Sequence, residues 1–425
     1  MPATRPTKFL TLLFVSCVFV SFAPLCSAVR TEQLLYSFDY SGGTNPHGAL
    51  VRDAAGNLYG TTSQDGATGG GTVYELLPNG VGQWGYEVLH NFCSLPGCAD
   101  GLGPQSGLLL DSSGNLYGTT SMGGDSSDPN CGHGCGVVFE LTPDNGLWTE
   151  TVLYTFSGVS DGATPMSSLV MDSAGNLYGT TSAGGGASAY CPLGCGVLFT
   201  LRRRVNGTWT QKVLHSFCSL DGCNDGADPN SLAFDGAGSL YCSTALDGIY
   251  GGGTVVQLVP RSNGTWFGRL VHSFGKGADG VSPNPGLAID TSDYIYGTTN
   301  RGGQFSSGMA FELRPGAVIG QWSEHLLHSF CSSTNCADGG LPSAGLTVDS
   351  SGRLFGTTTT GGTAQDGTLY ALTQNVNGHW TETVLYNSFS GNLDGQVMVD
   401  PDENLFSATT IGGNYNLGSV IEVVP

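Results

Sequence analysis

The stretch Gly56-Asn57-Leu58-Tyr59-Gly60-Thr61-Thr62 decides the fold, because the chain writes it again and again. It returns as GNLYGTT at 114–120 and 175–181. Looser copies are GSLYCST at 238–244, DYIYGTT at 293–299, GRLFGTT at 352–358 and ENLFSAT at 403–409. The aromatic of each copy is Tyr59, Tyr117, Tyr178, Tyr241, Tyr296, Phe355 or Phe406, with successive gaps of 58, 61, 63, 55, 59 and 51 residues. Self-similarity at such a period marks a propeller or another repeat array.

Residues 167–217 show what one unit contains. Ser168–Asp172 is a short apolar run, read as a first strand, and Ser173-Ala174-Gly175-Asn176 is a tight turn. The Asp that opens the turn recurs as Asp53, Asp111, Asp172, Asp235, Asp290, Asp349 and Asp400. Such an Asp accepts a hydrogen bond from the N–H two residues on, and the Gly supplies positive φ. Leu177–Thr181 is a second strand, and a glycine-rich loop leads to the third, Gly196–Leu201. Asn206-Gly207 is a hairpin signal, and Trp209–Phe217 makes the fourth strand.

The Trp recurs as Trp84, Trp148, Trp209, Trp266, Trp322 and Trp380, so six fourth strands follow seven third strands. The seventh lies at the other end, where Glu32–Phe38 matches TETVLYTF at 149–156. The expected fold is therefore all-β: a seven-bladed β-propeller of four-stranded blades, closed by the N-terminal strand completing the last blade. Closure removes exposed sheet edges.

LYGTT-x-x-GG followed by G-[TV]-[VL]-[FY]-x-L resembles the GloVer (Gloeo/Verruco) tandem repeat, over nearly all of 29–425. The resemblance implies an extracytoplasmic bacterial repeat protein of unassigned activity.

Residues 1–28 read as a signal peptide: Arg5 and Lys8, an apolar run, then Cys26-Ser27-Ala28. That leaves 29–425 as one propeller domain, secreted or extracytoplasmic, with no membrane insertion after cleavage. A net charge of −20 with 14 Lys+Arg argues against nucleic acid or an anionic membrane as partner. Outside the signal, ten cysteines form close pairs: Cys93/Cys98, Cys131/Cys135, Cys191/Cys195, Cys218/Cys223 and Cys331/Cys336. In a secreted chain these read as disulfides, and their spacing is too loose for zinc. Cys242 is left over, in the Gly slot of its repeat, where a small buried thiol is expected.

All five pairs fall in loops that share one face of a propeller: blade-to-blade loops, and second-to-third-strand loops. The Asp-Gly of the blade-to-blade loop recurs as Asp100, Asp161, Asp225, Asp279, Asp338 and Asp394, and is read as a turn cap rather than a cation site. His90, His215, His272 and His328 share a slot that is Tyr elsewhere, which reads as packing. No GxSxG, HExxH or P-loop motif occurs.

Residues that break the repeat on that face are the binding candidates: His47, Asp125, Asp128, His133, Tyr190, Asp247, Tyr250, Lys276, Arg301, Phe305 and Tyr415. Aromatics beside acids and amides suit a sugar ring or a protein contact. The oxygens of Asp125, Asp128 and Asn130 could also serve calcium, though an acidic surface loop is the plainer reading. No catalytic residue, cofactor or metal is assigned. The leading expectation is a monomeric, non-catalytic binding module for a glycan or protein ligand. The alternatives are an extracytoplasmic polysaccharide lyase or hydrolase using paired carboxylates, and a structural envelope protein.

Overall fold

Each unit folds into four antiparallel strands, running in chain order from the centre of a ring outward. Blade one is Thr44–Arg52, Leu58–Gln64, Thr72–Pro78 and Trp84–Asn91; blade four is Ala227–Phe234, Leu240–Leu246, Thr254–Pro260 and Trp266–Ser273. This computed structural model describes residues 31–80, 82–124, 131–158, 160–186, 191–388 and 391–424. The signal-like segment 1–28 lies outside them.

Blade seven takes Met398–Val399, Leu405–Thr409 and Ser419–Val424 from the end of the chain and Thr31–Ser37 from its start. The two ends pair antiparallel, Thr31 opposite Val424 through Ser37 opposite Ser419, with one irregularity between Leu34 and Tyr36. The Phe38 N–H extends the seam to the Gly418 carbonyl at 3.0 Å. Seven blades and their closure are as the repeat count predicts.

The motif glycine makes room for a ring. Gly60, Gly118, Gly179, Gly297 and Gly356 sit opposite Tyr74, Phe139, Phe199, Phe311 and Tyr370 of the third strand. A Cβ on Gly297 would lie 2.6 Å from Cζ of Phe311. Where the glycine is replaced, the ring is gone too: Cys242 faces Val256, and Ser407 faces Ile421. Cys242 is buried with a free thiol, as its slot predicts.

The seven turn aspartates behave alike. One oxygen accepts from the N–H groups two and four residues on, for Asp53 from Ala55 and Asn57, both at 2.9 Å. The other accepts the hydroxyl of the motif tyrosine, Tyr178 to Asp172 at 2.9 Å for example. Phe355 and Phe406 have no hydroxyl; that oxygen accepts from Arg353 Nε at 2.7 Å in blade six and from Asn404 Nδ2 at 3.0 Å in blade seven, the latter a bond that Asn57, Asn115 and Asn176 also make beside a tyrosine.

Blades are locked to one another by a glycine and a proline. The glycine before the third strand packs on the first-strand proline of the next blade; a Cβ on Gly136 would lie 2.6 Å from Pro165 Cδ. On the outside, Trp148 of blade two meets Tyr59 of blade one edge-on, and Trp266 meets Tyr178 likewise. The core is thus a set of clusters between blades: Leu35, Phe38, Phe406 and Val420 of blade seven pack with Leu50, Leu58, Tyr74 and Leu76 of blade one.

The first strand is less continuous than its apolar run suggests. In blade three it is two pieces, Ala163–Pro165 and Val170–Met171, and in blade five Gly280–Pro283 and Ala288–Ile289. In blade five the gap carries a bond to the next blade: the Gly345 N–H donates to the Pro285 carbonyl at 2.6 Å.

Candidate functional site: the loop face and the channel

All five predicted disulfides are formed. The loops that carry them are further fixed by backbone bonds to the next blade: Gly124 N–H to Cys98 O, Gly248 to Cys223 and Gly362 to Cys336, at 2.8, 3.0 and 2.9 Å. These bonds join second-to-third loops to blade-to-blade loops, which places both types on one face. Five disulfides suit an oxidising, extracytoplasmic compartment. Among the described residues no helix is long and apolar enough to cross a membrane.

Four of the six loop aspartates, Asp100, Asp161, Asp225 and Asp338, cap their turns as expected, whereas Asp279 takes the Gly280 N–H at 2.6 Å and His272. Asp100 takes the Ser94 N–H and hydroxyl at 2.8 and 2.7 Å; Asp225 and Asp338 do the same for Ser219 and Ser332. Asp394 instead turns to Thr410, whose N–H reaches one oxygen at 2.9 Å and whose hydroxyl reaches the other.

What these rings display is apolar. Leu95, Leu193 and Leu220, each inside a disulfide ring, are 50, 59 and 55 % exposed. Tyr40, Ile249, Tyr250, Phe305, Ile411 and Tyr415 are also exposed on loops of this face, as is Leu246 at the end of its strand. None of those leucines or isoleucines breaks a polar pattern conspicuously, so sequence reading picked the aromatics and missed them.

The predicted residues divide between two places. Tyr250, Arg301, Phe305 and Tyr415 are exposed, with Lys276 Nζ 5.4 Å from the Tyr250 ring centre. His133 is exposed inside the Cys131–Cys135 ring. Asp247 is a turn residue with φ +60°, matched by Asp65 at +59°, and its carbonyl accepts the Gly253 N–H. Asp125, Asp128 and Tyr190 lie outside the described residues. His47 stands apart from the rest, in the central channel.

There a cavity of about 250 Å³ is lined by first-strand residues of all seven blades. Asp394 and His47 contribute to it from blades seven and one and feel each other's charge. Burial holds His47 below the ordinary histidine range, against the pull of Asp394, and burial also raises Asp394. Asp394 was read only as a turn cap; its spacing of six residues to the turn aspartate Asp400, against ten or eleven in the other blades, was the available signal.

The His/Tyr slot proves to be a hydrogen-bonding one. His215, His272 and His328 meet Asp225, Asp279 and Asp338 at 3.0, 3.1 and 3.0 Å, and Tyr154 donates to Asp161 at 2.7 Å. Imidazole and phenol interchange because each offers a donor to the loop carboxylate. On the following blade, Glu150, Glu324 and Glu382 are pushed up to about 7, chiefly by burial and also by Asp100, Asp279 and Asp338. His272, Asp279 and Glu324 bring one ligand atom each within 4.8 Å, a set able to hold a metal ion. Cys191, Cys195 and Cys218 are equally close, but their thiols are committed to disulfides.

A profile of the Gloeobacter/Verrucomicrobia repeat matches residues 24–228 and 187–421. No curated protein matches the chain. Two solved structures share the fold at 14 % identity. A candidate 6-phosphogluconolactonase from Bacteroides uniformis has a TM-score of 0.52, over 82 % of this chain and 86 % of that one. A protein from Lactobacillus plantarum has a TM-score of 0.54, over 86 % and 90 %.

Proposed function

The chain belongs to the Gloeobacter/Verrucomicrobia repeat family, and we propose that its activity is binding, with the disulfide-braced loop face as the place where it binds. The reading is of a secreted, non-catalytic module that takes a protein partner. One observation carries it: three of the stapled rings each hold a leucine out to solvent. Aliphatic side chains on fixed backbone suit a protein contact, since the disulfide rings already hold the backbone and only side-chain order remains to be lost on binding. A polysaccharide would be met chiefly by aromatics, and on this face the exposed aromatics named above number four against six exposed leucines and isoleucines.

The test is a triple variant, Leu95→Ala, Leu193→Ala and Leu220→Ala. Cross-linking of the mature protein in its native extracytoplasmic milieu identifies neighbours, and titration of purified neighbour measures affinity. The variant is expected to weaken that affinity roughly tenfold or more with unchanged melting temperature. Equal affinity would remove the loop face from consideration. Tight binding to a polysaccharide panel, with no protein neighbour, would return the glycan reading in its place.

A further inference from the structure

We propose that the channel holds a second, separate site: a cup that binds one neutral polyhydroxylated ring, a monosaccharide or the end of a sugar chain, between Asp394 and His47. The position just after the first-strand proline, or its equivalent, is His47 in blade one and Gln105 in blade two. It is Met166 in blade three, Asn in blades four and five, Ser343 in blade six and Asp394 in blade seven. A few residues later the turn aspartate is identical in all seven. Six of these seven positions, all but Asn284, line the cavity.

Its floor is backbone. A Cβ on Gly48 would lie 2.2 Å from Gly107 N, and one on Gly345 1.8 Å from Gly286 O, so the inner strands touch just below. Gln396 crosses this floor from blade seven, its amide 3.4 Å from the Leu346 carbonyl of blade six. Met166 on the wall is 42 % exposed, so the cup is open above.

The chemistry selects the ligand. Asp394 is fixed by two bonds from Thr410 and retains lone pairs that accept hydroxyl protons. The His47 side chain has no hydrogen-bond partner among the described residues, and an imidazole lining the cavity can exchange hydrogen bonds with a hydroxyl, which both donates and accepts. No Lys or Arg lines the cavity, so an anion finds only a carboxylate. An amine would find a single carboxylate to offset its desolvation, beside a histidine it would repel on protonation. The volume lies below the roughly 300–1,000 Å³ that takes drug-sized ligands, which admits one sugar ring and excludes an oligomer inside the cup.

Calorimetric titration of the mature protein with D-glucose, D-galactose, D-mannose, N-acetylglucosamine and myo-inositol tests this, with ethanolamine and phosphate as further arms. Saturable binding of a neutral member is expected. Asp394→Asn should raise its Kd roughly tenfold or more. Met166→Trp, at an exposed wall position, should block it with unchanged melting temperature. The leucine triple variant should bind as wild type, so failure of this site and failure of the loop face are separable. Binding of ethanolamine or phosphate alone, no saturation by any sugar, or sugar binding indifferent to both channel variants would each overturn the assignment.

Discussion

Gly297 has no room for a methyl group: its Cβ would enter the Phe311 ring at 2.6 Å. Gly297→Ala is expected to cost about 1–3 kcal/mol by overpacking, measured by chemical denaturation. Tyr370 is the reverse case. It is fully buried over Gly356, and its hydroxyl has no partner among the described residues. Phe139, Phe199 and Phe311 fill the same slot without one, so Tyr370→Phe is expected to leave the melting temperature unchanged or raise it. A fall of several degrees would show that the hydroxyl is satisfied after all. Both outcomes belong to single side chains, and both come from comparing one slot across seven copies.

Between blades the relevant unit is a pair of outer strands. Glu150 lies against the His90–Asp100 pair of the blade before it, and Glu382 against His328–Asp338. The folded pKa of each glutamate is about 7, above the ordinary 4.5. The folded state therefore holds extra protons between those values. Their contribution to stability is complete below 4.5 and is lost as the pH rises through about 7. His90 and His328, held low by burial, act in the opposite sense: their contribution is complete above 6.5 and falls as the pH drops. The double variant Glu150→Gln, Glu382→Gln removes the first effect and keeps the second. Between about pH 5 and pH 8 it should lose less stability than wild type, and parallel slopes would refute the assignment.

On the scale of the whole ring, the seam in blade seven is the feature that everything else requires. Deleting residues 31–37 strips the Ser419–Val424 strand of its outer partner and exposes the Leu35–Phe38 side of a core cluster. The truncated chain is expected to aggregate or to lose its cooperative melting transition, read by calorimetry and light scattering. Five disulfides and one buried thiol give a second check: mass spectrometry of the denatured mature chain, unreduced, should find one free thiol. Reduction should lower the melting temperature, since each short ring restricts the unfolded chain.

Blade number, strand order, closure and cysteine pairing were legible in the sequence, because each rests on local patterns or on counting copies. A turn aspartate, a motif glycine and a tryptophan carry the same meaning at every occurrence, and a missing fourth strand at one end has to be supplied by the other. The channel was not legible in that way. His47 and Asp394 are 347 residues apart (394 − 47) and meet only because the ring closes. The loop leucines gain meaning only once disulfides and neighbouring loops hold them outward, and the histidine slot only once a carboxylate is seen beside it. Repetition encodes what each blade shares with the others; the geometry of a closed circle decides which of the unshared residues face one another.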